Sequence, residues 1–243
     1  MTNMKRSLNL FGCVALAVVL MSASNCSRPE VPGGVIVERG GPRLAQISTR
    51  FGDMIVQLSD STPQHRDNFV KLAEEGFYDS LLFHRVIRGF MVQGGDPTSR
   101  NAALGARLGS GGPGYTIPAE FNADHLHYKG ALSAARQGDQ VNPQRASSGS
   151  QFYIVQGKRA PKSQLLNFEA TINRKNPGLN FRYSDEAVQR YDSLGGTPFL
   201  DMDYTVFGYV IQGLDIIDSI AAVPTAPGDR PVDDVIMTVK MLN

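Results

Sequence analysis

From Phe83 to Asp96 the chain reads Phe-His-Arg-Val-Ile-Arg-Gly-Phe-Met-Val-Gln-Gly-Gly-Asp. Apolar and polar residues alternate on either side of a glycine, the pattern of a half-buried strand turned back on itself. The run sets two polar side chains, Arg85 and Gln93, beside an apolar pair, Phe90 and Met91, on a stiff support. Similar short segments recur. Leu44 to Arg50 and Met54 to Leu58 flank Phe51-Gly52-Asp53 as a hairpin, and further strands are expected over Leu81 to Val86, Met91 to Gly94, Lys129 to Ala134, Gln151 to Val155, Tyr204 to Val210 and Val235 to Met241. Thr62-Pro63 supplies an N-cap and a first-turn proline for a helix with the stripe Phe69, Leu72 and Ala73 and a stop at Gly76. Gly213 to Ile220 reads as a second, short amphipathic helix. Short strands with two helices predict a mainly β protein, a closed antiparallel β-barrel of about eight strands capped by two helices.

Residues 156–198 depart from that plan. Leu165, Phe168 and Ile172 recur at helical spacing and stop before Asn176-Pro177-Gly178. Ser184 followed by Asp185 and Glu186 marks the start of another helix, with the stripe Ala187, Val188, Tyr191 and Leu194 and an end at Gly195-Gly196. The segment reads as a helical insertion between two barrel strands, tolerant of replacement if its ends are close. Its C-terminal end runs into Phe199 and Leu200.

The N-terminus has a different character. Lys5 and Arg6 precede an apolar run from Leu8 to Met21, too short to span a bilayer and suited to the h-region of an export signal. Cys26 follows Ser22-Ala23-Ser24-Asn25 and resembles a bacterial lipoprotein acylation site, although Asn25 stands where a small residue is usual. Plain signal cleavage near Ala23 is the alternative. The expected organisation is a signal peptide over 1–25, a Pro/Gly-rich tether over 26–41 and one domain over 42–243. The protein is then exported, anchored through lipid alone and facing the periplasm. The only other cysteine, Cys13, lies in the apolar run, so no internal disulfide is expected. A net charge of +1 with scattered Lys and Arg gives no basic stripe for nucleic acid.

Beyond the first run, five blocks stand in order: Gly112-Pro113-Gly114-Tyr115-Thr116-Ile117-Pro118-Ala119-Glu120-Phe121, Leu132-Ser133-Ala134-Ala135-Arg136, Ser148-Gly149-Ser150-Gln151-Phe152-Tyr153-Ile154, Phe199-Leu200, and Tyr204-Thr205-Val206-Phe207-Gly208. With Phe83 to Asp96 they resemble the cyclophilins, the cyclosporin-type peptidyl-prolyl cis-trans isomerases. The resemblance covers residues 42–243 apart from the insertion. It implies an isomerase that rotates X-Pro bonds without cofactor or metal, acting as a monomer on proline-containing polypeptides.

Prolyl bond rotation forms and breaks no bond to carbon. In the twisted state the amide loses resonance and the prolyl nitrogen accepts a hydrogen bond, so the site needs a donor and a ring pocket rather than a nucleophile. Arg85 suits the donor, being always charged and fork-shaped, and Gln93 is the natural second donor. Arg85, Gln93 and Phe90 form the expected catalytic set. Phe90, Met91, Tyr153 and Leu200 are expected to line the ring pocket, His84 to edge it, and Phe199 and Tyr204 to border it. Ala135, Arg136 and Gln151 match positions where the family binds backbone N-terminal to proline. Phe199 and Tyr204 stand where well-known eukaryotic members have Trp and His, so cyclosporin is expected to bind weakly. Arg88 replaces a common Pro. The alternative function is a proline-segment binding module or chaperone with little turnover. A hydrolase finds no Gly-x-Ser-x-Gly elbow, and the four histidines lack metal-ligand spacing.

Overall fold

The computed structural model describes residues 41–242. The expected signal peptide, the expected acylation site Cys26 and all of the expected tether but Gly41 lie outside them.

A hairpin opens the domain, β1 (Leu44–Thr49) against β2 (Gly52–Leu58), in register from Leu44 opposite Gln57 to Thr49 opposite Gly52. Gly52 turns with φ of +127°, and a Cβ there would sit 2.7 Å from the Ile216 side chain. Helix α1 (Pro63–Glu74) follows and buries Phe69, Leu72 and Ala73, the expected stripe, together with His65 and Val70. The strand expected over Leu81 to Val86 is two strands, β3 (Leu81–Leu82) and β4 (Arg85–Ile87), broken at Phe83-His84. Then come β5 (Met91–Gly94), a 3-10 turn over Pro97–Ser99, β6 (Thr116–Ile117), β7 (Ala131–Ala134), β8 (Ser147–Ser148) and β9 (Phe152–Val155). Helices α2 (Lys162–Lys175) and α3 (Asp185–Ser193), a second 3-10 turn over Pro198–Leu200, β10 (Val206–Gln212), α4 (Leu214–Ala221) and β11 (Ile236–Met241) complete the chain.

Nine strands form one sheet in the order β3-β11-β1-β2-β10-β7-β9-β5-β4, and β6 pairs with β8 apart from it. The strand pairs are antiparallel throughout. The closed barrel of about eight strands is therefore corrected to a curled nine-stranded sheet, because no ladder joins its outermost strands β3 and β4. The break at Phe83-His84 is the reason. It turns β3 to pair with β11 on one side and β4 with β5 on the other.

The main core fills the concave side of the sheet. Phe69 of α1 meets Tyr78, Phe152 and Phe207 at ring separations of 5.1 to 5.6 Å, and Ile217, Ile220 and Ala221 of α4 pack into the same cluster. All residues of β7 and β9 are buried because both faces are covered. Leu132, Ala134, Phe152 and Ile154 face the main core, while Ala131, Tyr153 and Val155 face a small cluster with Met91, Ala135 and Val206.

Two local expectations change. Thr62 occupies the N-cap of α1 without a side-chain capping bond. The cap comes from Glu120, whose carboxylate accepts from the backbone N–H groups of Gln64 (3.1 Å) and His65 (3.0 Å) and lies 2.6 Å from His65 Nδ1. Ser184 does cap α3, accepting from the Ala187 N–H at 3.1 Å, but Leu194 at the end of that helix is exposed. The insertion is stemmed by reciprocal backbone bonds between Lys158 and Gly196 of 3.2 and 3.0 Å. It is no separable excursion, since Leu165, Ile172, Ala187 and Tyr191 share a core with Leu126, Tyr128 and Met202 from outside it.

Candidate active site

Strand register builds the site. Arg85 lies opposite Gln93 across β4 and β5, and Gln93 lies opposite Tyr153 across β5 and β9. Opposed residues share a face, so the three form a row across the convex side, with Met91 two residues from Gln93 on the same face. Gly89, at φ of +76°, carries the turn that brings Phe90 to the end of this row.

A cavity of about 130 Å³ lies over the row. Phe90, Met91, Tyr153 and Leu200 supply apolar wall, Arg85 and Gln93 the polar edge, and Ala135, Arg136 and Tyr204 the opposite rim. Arg85 Nη1 donates to Gln93 Oε1 at 3.3 Å, and its Nε faces Asp229 Oδ2 at 3.4 Å. Gln93 Nε2 donates to Gln151 Oε1 at 3.0 Å, and Gln151 Nε2 donates in turn to the carbonyls of Gly109 (2.9 Å) and Gly111 (2.7 Å). One amide relay thus runs from the guanidinium to the Gly-rich loop. That loop is held by Asp96, which accepts from the N–H groups of Gly109 (2.5 Å) and Gly111 (3.3 Å). Burial works to raise the Asp96 pKa, but these bonds and the Thr98 hydroxyl outweigh it and leave the carboxyl below its ordinary value.

Nine of the twelve expected site residues in the domain line this cavity. Gln151 joins them through Gln93 and lines a larger neighbouring groove of about 640 Å³ with Gly109, Gly111, Ala135 and Arg136. Phe199 stands at the rim, 50% exposed, its ring 5.6 Å from Phe90 and 6.3 Å from Phe168 of α2. His84 is the exception. It neighbours Arg85 and so points to the other face, buried, and lines a different cavity from the one it was expected to edge. Burial lowers its pKa, offset only in part by Asp96 and the Leu82 carbonyl. The Arg136 guanidinium lies 4.4 Å over the Tyr204 ring and is bonded to the Asp203 carbonyl (2.9 Å) and Asp139 (2.6 Å), so its charge is committed within the chain.

Sequence reasoning missed what stands behind the pocket. The Tyr153 hydroxyl lies 3.0 Å from His127 Nε2, and His127 Nδ1 lies 2.8 Å from Asp201 Oδ1. Asp201 also accepts from the His127 backbone N–H (2.8 Å) and the hydroxyls of Tyr183 (2.8 Å) and Tyr191 (2.6 Å). Burial, reinforced by the nearby Asp201 charge, pushes the Tyr183 and Tyr191 hydroxyls well above their ordinary value. With Nδ1–H donating to Asp201, Nε2 is left to accept from Tyr153.

The family model described as "Cyclophilin type peptidyl-prolyl cis-trans isomerase/CLD" matches residues 44–241. A Staphylococcus saprophyticus protein provisionally named a peptidyl-prolyl cis-trans isomerase is 37% identical over 188 residues, 77% of this chain and 85% of that one. A Staphylococcus aureus (strain USA300) protein with the same provisional name is 36% identical over 190 residues, 78% of this chain and 86% of that one. Among solved structures, a Cryptosporidium parvum cyclophilin-type peptidyl-prolyl cis-trans isomerase superposes with a TM-score of 0.58 at 22% identity, covering 84% of this chain and 99% of its own. A structure of that protein in the presence of the dipeptide Ala-Pro gives 0.56 at 22% identity, with 82% and 99% covered. The match over the whole described domain and the identity to the bacterial relatives place the chain in the cyclophilin family, and it is a cyclophilin-type peptidyl-prolyl cis-trans isomerase.

Proposed function

We propose that the chain accelerates X-Pro rotation by seating the prolyl ring in the cavity over β5 and β9 and donating from Arg85 to the pyramidal nitrogen. The observation that carries this is the Arg85 guanidinium, oriented by Gln93 at 3.3 Å on the edge of an otherwise apolar cavity of about 130 Å³. Ala-Pro accompanies one structure of the C. parvum relative, which suits the same occupant. A ten-thousandfold acceleration needs about 5.4 kcal/mol, whereas one charged hydrogen bond supplies about 1.5–3. The remainder comes from binding the twisted amide better than the planar one and from desolvating its carbonyl. Arg85→Ala is expected to lower kcat/KM by about 2–4 kcal/mol with the fold intact, and Arg85→Lys to restore part of it. A wild-type rate in the alanine variant, in a protease-coupled assay on a short Pro peptide, overturns the mechanism.

The same reading makes the clients exported chains and the anchor an acyl group on Cys26. It rests on the apolar run and the residues before Cys26. Cys26→Ser should shift the protein from the detergent to the aqueous phase. Wild-type protein recovered wholly soluble in the periplasm refutes the anchor.

A further inference from the structure

Helix α2 packs against the turn Pro198–Leu200 at the rim of the cavity over β5 and β9, and two contacts fix it there. Phe168 meets Phe199, and Lys175 pairs with Asp203, the chain neighbour of the cavity residue Tyr204. Seven residues apart, Phe168 and Lys175 share one flank of the helix over about 10 Å. The adjoining face carries Leu165 and Ile172 into the core shared with Leu126, Tyr128 and Met202, which anchors α2 in place. Three aromatic rings then form a chain of contacts leading out of the cavity. Phe90 belongs to the cavity wall, Phe199 lies 5.6 Å from Phe90, and Phe168, outside the lining, lies 6.3 Å from Phe199. None of the three is fully buried. Their open faces are apolar area still to be covered, and phenylalanine has no polar atom to bond with water. A contiguous apolar strip of this kind marks a binding surface.

We propose that Phe168 of α2, with Phe199, forms a shelf that takes an aromatic side chain of the client chain within two residues of the proline, and so determines which prolines are served. The proposal rests on the prolyl reading of the cavity. The occupant follows from continuity, since the strip begins at Phe90, a wall of the cavity in which the ring is seated. Each step along it, 5.6 and then 6.3 Å, is shorter than the about 7 Å spanned by two extended residues. A side chain that near the proline therefore reaches the shelf without the ring leaving its seat. Aromatic rings suit it because offset and edge contacts between rings add to the area buried. The helical insertion thereby gives the site a selectivity that the cavity over β5 and β9 does not supply by itself.

The test measures catalysed cis-trans exchange by NMR, which needs no coupling protease, on short peptides carrying Phe or Gly in turn at each of the two residues before and after the proline. At low peptide concentration the wild-type rate should favour Phe over Gly by roughly fivefold to twentyfold, on one side of the proline only. Phe168→Gln, a partly exposed position given a good helix former, should bring that ratio close to one, and Phe168→Tyr should keep it. Leu166→Gln, at an exposed position on another flank of α2, should leave the ratio as in the wild type. No preference in the wild type, one of equal size on both sides of the proline, or a ratio that survives in Phe168→Gln overturns the shelf. An equal loss in Leu166→Gln overturns it too, by assigning the effect to the helix as a whole. Failure of the prolyl reading would appear separately, as no catalysed exchange of the Gly peptides by the wild type.

Discussion

The two cores of this domain are held by different physics. Beneath α1 the sheet buries Phe152 edge to face with Phe69 and Tyr78, and Phe207 tilted against Phe69, in a cluster of aliphatic side chains, where stabilisation scales with area and has little direction. The insertion also buries aromatics, but Tyr183 and Tyr191 aim their hydroxyls at Asp201, which accepts four hydrogen bonds in all. A carboxylate so placed is stable only while each donor is present. Because His127 connects Asp201 to Tyr153, the solvation of that buried charge also fixes one wall of the cavity over β5 and β9. The insertion is thus part of the pocket's foundation, with Phe168 against Phe199 as its contact at the rim.

Removing the carboxylate should separate the two cores most sharply. Asp201→Ala is expected to cost about 3–5 kcal/mol in urea unfolding, since four donors lose their acceptor. A loss below 1 kcal/mol would show that the insertion core is held by area after all. Tyr191→Phe, which keeps the ring, should still cost about 1.5–3 kcal/mol. Ile154→Val in the sheet core, a change of similar size, should cost only about 0.5–1.5. Equal losses would dissolve the distinction.

Acid probes the sheet side. His65 and His84 are buried there, and burial lowers both pKa values below 6.5, with Glu120 pulling His65 only part of the way back. The folded state then binds fewer protons than the unfolded chain. Each contribution is whole above pH 6.5 and is lost as pH falls from there through the folded-state value. Stability should therefore fall as pH drops from 7 toward 5. His65→Gln should flatten the pH dependence of the unfolding midpoint, and an unchanged slope would assign the acid sensitivity elsewhere. Catalysis should respond less than stability, with kcat/KM nearly flat from about pH 6 to 9 because Arg remains protonated. A bell-shaped profile would require an acid-base group. The smallest expected change is at the rim, where Phe199→Trp restores an indole donor and should tighten cyclosporin by about 0.5–1.5 kcal/mol, read as inhibition.

The pocket was legible because it is local. Arg85, Phe90, Met91 and Gln93 belong to one hairpin, and the period of two fixes which of them share a face. The Asp201 network was not, since His127 lies 74 residues from it and nothing in either neighbourhood points to the other. The cap of α1 is hidden for the same reason, Thr62 being the local candidate and Glu120, 56 residues beyond Gln64, the group that binds. Strands β6 and β8, two residues each, are too short to carry any period. The break between β3 and β4 carries no Gly or Pro, so alternation alone runs straight through it.

That break also decides what the sheet presents at its edges. A sheet of nine strands ordinarily offers two long edges to which a stranger's extended backbone can add. Here the outermost strands are neighbours in sequence and only two and three residues long, and the Val86 N–H already donates to the Asp229 carbonyl at 2.8 Å. An extended backbone approaching either outermost strand therefore finds no more than three residues of strand to pair with.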